Sequence, residues 1–193
     1  MGRPPKIDNV QLLDRATALF WKEGCDAVTI RDLESALELR APAIYRRYPS
    51  KNDLIEGCVE RYVDRVVGGR IGRHLEASED PLEGLRTFFA SALEPHPGEP
   101  TSRGCLLTVT ASQTAFQDPA ISAAVRAGMD RIRLGFQTQI ERGRSTGQIR
   151  TDVSAQMQAT LLLLLFEGLL VLARSGATGL LEGVDVGLRS LAR

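Results

Sequence analysis

Cysteine and histidine are scarce in this chain, with three thiols (Cys25, Cys58, Cys105) and two imidazoles (His74, His96) in 193 residues. An odd number of widely spaced cysteines makes no disulfide framework. Neither histidine stands at the close pair spacing that a zinc site favours, or in a recognisable nucleophile arrangement with Cys105. No glycine-rich phosphate loop is present. These absences argue against an enzyme, and no metal or cofactor is expected. A long uncharged hydrophobic run is also missing. The nearest, ATLLLLLFEGLLVLA (159–173), contains Glu167 and is shorter than the roughly 20 residues a bilayer requires. It reads as a buried helix, so no membrane partner is expected. The N-terminus lacks the apolar core of a signal peptide, which predicts a cytoplasmic protein. Sustained strand alternation and internal repeats are absent too, leaving an all-α chain. Excess charge of either sign is lacking: the formal net charge is zero, which by itself argues against a polyanionic partner. Charge distribution removes that objection, because cations cluster in one short stretch while Asp14, Glu23 and Glu34 lie on earlier helices.

That stretch lies in residues 28–54, VTIRDLESALELRAPAIYRRYPSKNDL. Between Leu39 and Lys51 stand four cations (Arg40, Arg46, Arg47, Lys51), two tyrosines (Tyr45, Tyr48) and no acid. A helix whose outer face meets phosphates and whose inner face packs on its own domain has this composition. The flanking pattern supports it. A first helix opens at Asp8, with Gln11 placed for a capping box and Ile7 with Leu12 for a hydrophobic staple. Val10, Leu13, Ala16 and Phe20 form its expected buried stripe, and Gly24 its left-handed cap. A second helix opens at Thr29 with Asp32 closing the box, its inner face made of Ile30, Leu33 and Leu37. The third is expected from about Arg40 to Tyr48, with Pro42 in its first turn, Ile44 and Tyr48 inward, and Pro49 as the stop. Ser50 and Asp53 then cap a fourth, longer helix.

With LLDRATALFWKEG, TIRDLESA and IYRRYPSKNDL in these positions, residues 7–60 resemble the TetR family of bacterial transcription regulators. The resemblance implies a helix-turn-helix domain over residues 1–50 and a ligand-binding and dimerisation domain over 51–193, about nine helices in all. It implies a third helix in the major groove of double-stranded operator DNA, read as a palindrome by a symmetric dimer. Carried over position by position, Thr29 is a phosphate contact, and Arg40, Ala41 and Ala43 lie nearest base edges. Tyr45, Arg46 and Lys51 clamp the backbone, and Arg47 takes either role. The leading GRPPK can follow a DNA groove as an arm. Two positions depart from the family pattern. Glu38 stands where the turn usually has glycine, and Arg40 where a serine or threonine usually caps the third helix.

Further helices are expected from Ser50 to about Glu76, from Asp80-Pro81 through LEGLRTFFASALE, over about Cys105–Phe116, from Asp118-Pro119 to Arg144, over about Val153–Arg174, and over about Leu180–Leu191. The eighth is apolar nearly all round, so it must be covered on both sides, and a second subunit supplies one cover. The family pairs its last two helices with those of a partner; Leu161, Leu165, Leu169 and Leu172 are the candidates for that seam. It also places a cavity for a small hydrophobic effector among helices four to eight, where Phe88, Phe89, Leu93, Cys105, Thr108, Ser112 and Phe136 are candidate lining. VVGGRIG (66–72), with three helix-weakening glycines, is either a bend that couples effector to DNA head, as the resemblance implies, or a place of close packing against bulky neighbours. GCLLT (104–108) resembles a motif with which some relatives sense electrophiles through cysteine, and Arg103 beside it would favour the thiolate. The expected function is therefore a ligand-released homodimeric repressor. The alternatives are a helical dimeric small-molecule-binding protein without sequence-specific DNA recognition, prompted by Glu38, and a cysteine-based enzyme.

Overall fold

The computed structural model describes residues 7–95, 98–99 and 101–192, and the chain within them is helical. It forms two compact units. The first runs to Asp64 and takes in Leu106–Arg126; the second contains Arg65–Cys105 and Ala127–Arg193. The first unit is thus larger than the three-helix domain expected from the sequence, since it also holds the first half of helix four and a later segment. The GRPPK arm and His96 lie outside the described residues.

In the first unit, α1 spans Asn9–Glu23, α2 Ile30–Leu37, α3 Ala41–Tyr45 and the regular part of α4 Lys51–Tyr62. Three reciprocal capping boxes start α1, α2 and α4. Gln11 N–H donates to Asp8 at 2.7 Å, Thr29 N–H to Asp32 at 2.8 Å and Ser50 N–H to Asp53 at 2.7 Å, each with the matching return bond. Leu12, Ala16 and Phe20 of α1 are buried, as are Leu33, Leu37, Ile44, Leu54, Ile55 and Val59 of the helices that follow. Val10, expected in that stripe, is 53% exposed. The buried line passes through Leu12 instead, because at about 100° per residue the two positions point to opposite sides of the helix. Gly24 ends α1 with φ 89° and ψ 151°, a positive-φ cap that continues into extended rather than left-handed helical backbone. Arg61 on α4 forks onto Asp14 of α1 at 2.7 and 3.1 Å, and Trp21 meets Tyr62 edge-on with centroids 4.9 Å apart. The later segment contributes α6, Leu106–Ala111, and a 3₁₀ turn, Thr114–Gln117. The sequence pattern predicts one helix through Phe116. The helix stops at Ala111, and a new turn begins at Thr114 with partners described below.

Helix four continues to Glu76, as its pattern predicts, but Val63–Gly68 and Ile71–Glu76 are π-wound. Such wide turns gather at functional positions in helices. In the second unit, α5 (Pro81–Leu93) starts on Asp80, whose carboxylate accepts from Leu82 and Glu83 N–H at 2.9 and 3.2 Å. It approaches the π-wound segment closely: a Cβ at Gly84 would stand 2.9 Å from the His74 carbonyl oxygen. The remaining elements are α7 (Pro119–Ser145), which starts in the first unit, α8 (Ala155–Arg174) and α9 (Leu180–Arg189). Side chains of α7 serve the end of helix four, where helical carbonyls lack intrahelical partners. Gln139 donates to Leu75 O at 2.9 Å, and Arg142 to Ser78 O at 2.9 Å. The core is a quartet of phenylalanines, Phe88, Phe89, Phe136 and Phe166, with neighbouring ring centroids 5.1–6.5 Å apart. Edge-to-face and offset pairs of this kind favour a fixed arrangement beyond their burial. Arg86 of α5 pairs with Asp185 of α9 at 2.8 Å.

Candidate nucleic-acid interface

The turn between α2 and α3 is built around two glutamates. Glu38 takes the left-handed conformation, φ 55° and ψ 34°, that glycine would adopt without strain. It faces Arg15 at 3.6 Å, with both side chains largely exposed. The amide of Leu39 then donates to Glu34 O at 3.2 Å. Glu34 also supplies what Arg40 cannot. Arg40 makes no side-chain cap, and the Ala41 amide instead donates to the Glu34 carboxylate at 2.7 Å. A carboxylate at a helix start suits both the free amide and the positive end of the helix dipole. Sequence spacing did not suggest this cap, because it comes from the preceding helix.

Helix α3 is shorter than expected, five regular residues followed by a turn through Tyr48. Ile44 is buried at 1% exposure and Tyr48 faces inward, its hydroxyl accepting from Asn9 at 3.0 Å. Tyr48 also packs where a Cβ on Gly57 would come within 3.1 Å. On the other side, Arg40 and Arg46 are exposed, Tyr45 is 40% exposed, and Ala41, Ala43 and Lys51 are half-buried. Among the described residues, no hydrogen bond or ion pair engages the side chains of Arg40, Tyr45, Arg46 or Lys51. Arg47 differs. Its Nη2 donates to the Ile7 carbonyl at 2.9 Å, fastening the end of α3 to the start of α1. Thr29 donates its hydroxyl proton to Asp32 at 2.6 Å, so that hydroxyl is committed within its capping box.

The other residues singled out by sequence are distributed over both units. Phe88, Phe89 and Phe136 meet in the second unit's aromatic core, joined by Phe166, which sequence reasoning missed because it lies in a run of leucines. Leu93 is half-buried and lines a cavity of about 360 Å³ with Thr101, Thr178 and Leu181. Thr108 and Ser112 belong to the first unit, and the Ser112 hydroxyl donates to Val109 O at 2.9 Å. Cys105 is 3% exposed, immediately before α6, and Arg103 pairs with Glu99 at 2.6 Å. Burial raises the Cys25 thiol pKa and pushes that of Cys58 up to about 12. Among the described residues no group of three or more histidine, cysteine or acidic side chains is placed to hold a metal ion.

Of the seam candidates on α8, Leu161 and Leu172 are 54% and 50% exposed and Leu165 is half-buried. Leu169 is 5% exposed and turned into its own unit. A strict four-residue ladder rotates by about 40° per step, so by its third rung it has left the face it started on. The outward stripe follows Met157, Leu161, Leu164, Gly168 and Val171, alternating spacings of four and three. This helix has 20 residues and is long and apolar enough to cross a bilayer by composition alone.

A capped three-helix head that presents uncommitted cations beside a short exposed helix, followed by a helical unit, is the architecture of a helix-turn-helix DNA-binding regulator. The family model of bacterial regulatory proteins of the tetR family matches residues 12–58, and the tetracyclin repressor-like C-terminal domain matches 81–179. The chain belongs to the TetR family of transcription regulators. It is 23% identical over 177 residues to the HTH-type transcriptional repressor ComR of Escherichia coli, covering 92% of this chain and 84% of that protein. Its fold is shared with reduced NemR of Escherichia coli, with a TM-score of 0.83 at 18% identity over 94% of this chain and 95% of that one. It is shared equally with a cysteine-substituted form of the regulator CifR in complex with 26-bp double-strand operator DNA, with a TM-score of 0.83 at 24% identity over 98% and 100% of the two chains.

Proposed function

We propose that this regulator is a cytoplasmic homodimeric repressor with no enzymatic activity. It binds a palindromic operator through two α3 segments and is released by a small hydrophobic effector held in the second unit. The observation that carries the DNA reading is the uncommitted set Arg40, Tyr45, Arg46 and Lys51 on one side of a short helix whose other side is anchored by Ile44 and Tyr48. Tyr45, Arg46 and Lys51 hold phosphates, Arg40 reaches base edges, and Ala41 and Ala43 leave room for close approach. Arg47 acts on the protein side, through Ile7. The stripe on α8 supports the dimer, since exposed apolar residues in a heptad pattern fit a second helix pair. An effector shifts the equilibrium by binding two states of the second unit unequally, and the π-wound, glycine-containing part of helix four is the segment in which those states would differ.

Selection from a random double-stranded library at moderate salt, followed by sequencing, tests this reading. Recovery of one palindrome is expected. Recovery of unrelated sequences by well-folded protein would overturn it in favour of a helical binding protein without sequence-specific recognition.

A further inference from the structure

The turn between α1 and α2 is fastened to the segment after α6 by a two-way set of hydrogen bonds. Gln113 Oε1 accepts from the backbone N–H of Cys25 at 2.6 Å and of Asp26 at 3.4 Å. In return, the Asp26 carboxylate accepts from Thr114 N–H at 2.9 Å, the Thr114 hydroxyl at 2.8 Å and Ala115 N–H at 3.3 Å. Each segment therefore caps the free amides of the other. Gly24 has φ +89°, a conformation that favours glycine, and a Cβ there would stand 2.4 Å from Gln113 Nε2 and displace the clasping side chain. Beneath the clasp, Cys25 Sγ lies 3.6 Å from the Thr110 hydroxyl, and both residues are buried. A further bond, from Asn52 at the start of α4 to Asp118 at 3.0 Å, reaches the same segment just before α7. Residues 106–126 are covalently continuous with the second unit at both ends, through Cys105 and Ala127.

We propose that Asp26 and Gln113 are positioning residues for operator recognition: by clasping each DNA head onto residues 106–126, they set the half-site spacing that the dimer accepts. The proposal rests on the dimeric reading above. Neither residue belongs to the recognition segment; Gln113→Ala leaves its charges untouched, whereas loss of the Asp26 carboxylate is also felt at Lys51, so the single variants separate where a head is held from how it meets phosphate. Five directed bonds make this a stiff joint. Without them the turn amides bond to water and the head is free to turn about its chain connections.

The test compares wild type, Gln113→Ala, Asp26→Ala and the double variant on four DNAs. These are the selected palindrome, the same palindrome with one base pair added or removed between half-sites, and an isolated half-site. One base pair moves a half-site by about 3.4 Å and about a tenth of a turn. Wild type is expected to prefer one spacing strongly. The double variant should bind that spacing about tenfold more weakly, as the loss of charge-assisted hydrogen bonds implies, and bind all three spacings nearly equally. Its affinity for the half-site should match wild type, a readout that simple loss of stability would not spare. Asp26→Asn, which keeps an acceptor oxygen, should retain most of the spacing preference. An unchanged spacing preference in a folded double variant overturns the proposal, as does an equal loss on the isolated half-site. Absence of any palindrome preference in wild type overturns the dimeric reading and the proposal with it.

Discussion

Glu38 is the non-glycine residue with positive φ among the described residues, and its strain is local. A left-handed side-chain-bearing residue costs about 1–2 kcal/mol relative to glycine. The compensation from Arg15 is small, because both partners are exposed and such pairs contribute at most about 1 kcal/mol. Glu38→Gly is therefore expected to raise the denaturant midpoint of the first unit. Trp21, the single tryptophan, reports that unit by fluorescence; a lowered midpoint would mean that the Arg15 contact outweighs the strain. The same probe reads acid stability. Hydrogen bonds from Thr114 hold the Asp26 carboxyl below its ordinary 3.8, those from Thr29 do so for Asp32, and Asn52 does so for Asp118. With the folded pKa lowered, the unfolded chain takes up protons first as pH falls. The stabilisation is thus complete above 3.8 and is lost as pH drops through the lower folded values. His74 in the second unit, lowered by burial and by Arg73 and Arg70, begins its own loss below 6.5. The Trp21 midpoint should hold steady around pH 5 and fall below about 4, with a smaller fall in Asp26→Asn. A midpoint that declines steadily from pH 7 would show that these carboxyls do not govern the first unit.

At the scale of elements, the starts of helices were the most legible feature, because a capping box needs only residues three apart: Asp8 and Gln11, Thr29 and Asp32, Ser50 and Asp53 all form as their spacing implies. What escaped is non-local. The Glu34 cap on Ala41 depends on how α2 meets α3, and the clasp at Asp26 joins segments 87–89 residues apart. The π-winding of helix four is equally hidden, since three glycines announce weakness without saying how the helix yields. Along α8, apolar content was legible but facing was not, because nearly every position is leucine-like; Leu169 points inward while Leu164, left out of the seam, is 68% exposed. That difference predicts separate outcomes. Leu164→Glu should leave the melting temperature of the isolated subunit unchanged while shifting sedimentation from dimer to monomer. Leu169→Ala should destabilise the subunit by about 2–5 kcal/mol, as buried leucine truncation does. A dimer that survives Leu164→Glu would place the interface elsewhere.

For the whole molecule, zero net charge and DNA binding are compatible only if the local set of cations dominates. Salt dependence measures which is true. Arg40, Arg46 and Lys51 make no hydrogen bond or ion pair on each head, though Lys51 feels the charges of Asp26 and Asp32, so two heads offer six cations to phosphates or bases. If all six neutralise phosphates, log K should fall with log salt at a slope of about −5, from −0.9 per contact. Arg40 engaged with bases in place of phosphates would lower the count by two and the slope to about −4. Lys51→Ala removes one contact per head and should flatten the slope by about 2 on any DNA sequence, operator or not. Arg40→Ala should instead act chiefly on the ratio of operator to random affinity, since base contacts specify and phosphate contacts position. A neutral body acting through its overall field would give a slope near zero and no difference between these two variants. That result would remove the recognition segment from the interface, whatever the fold resembles.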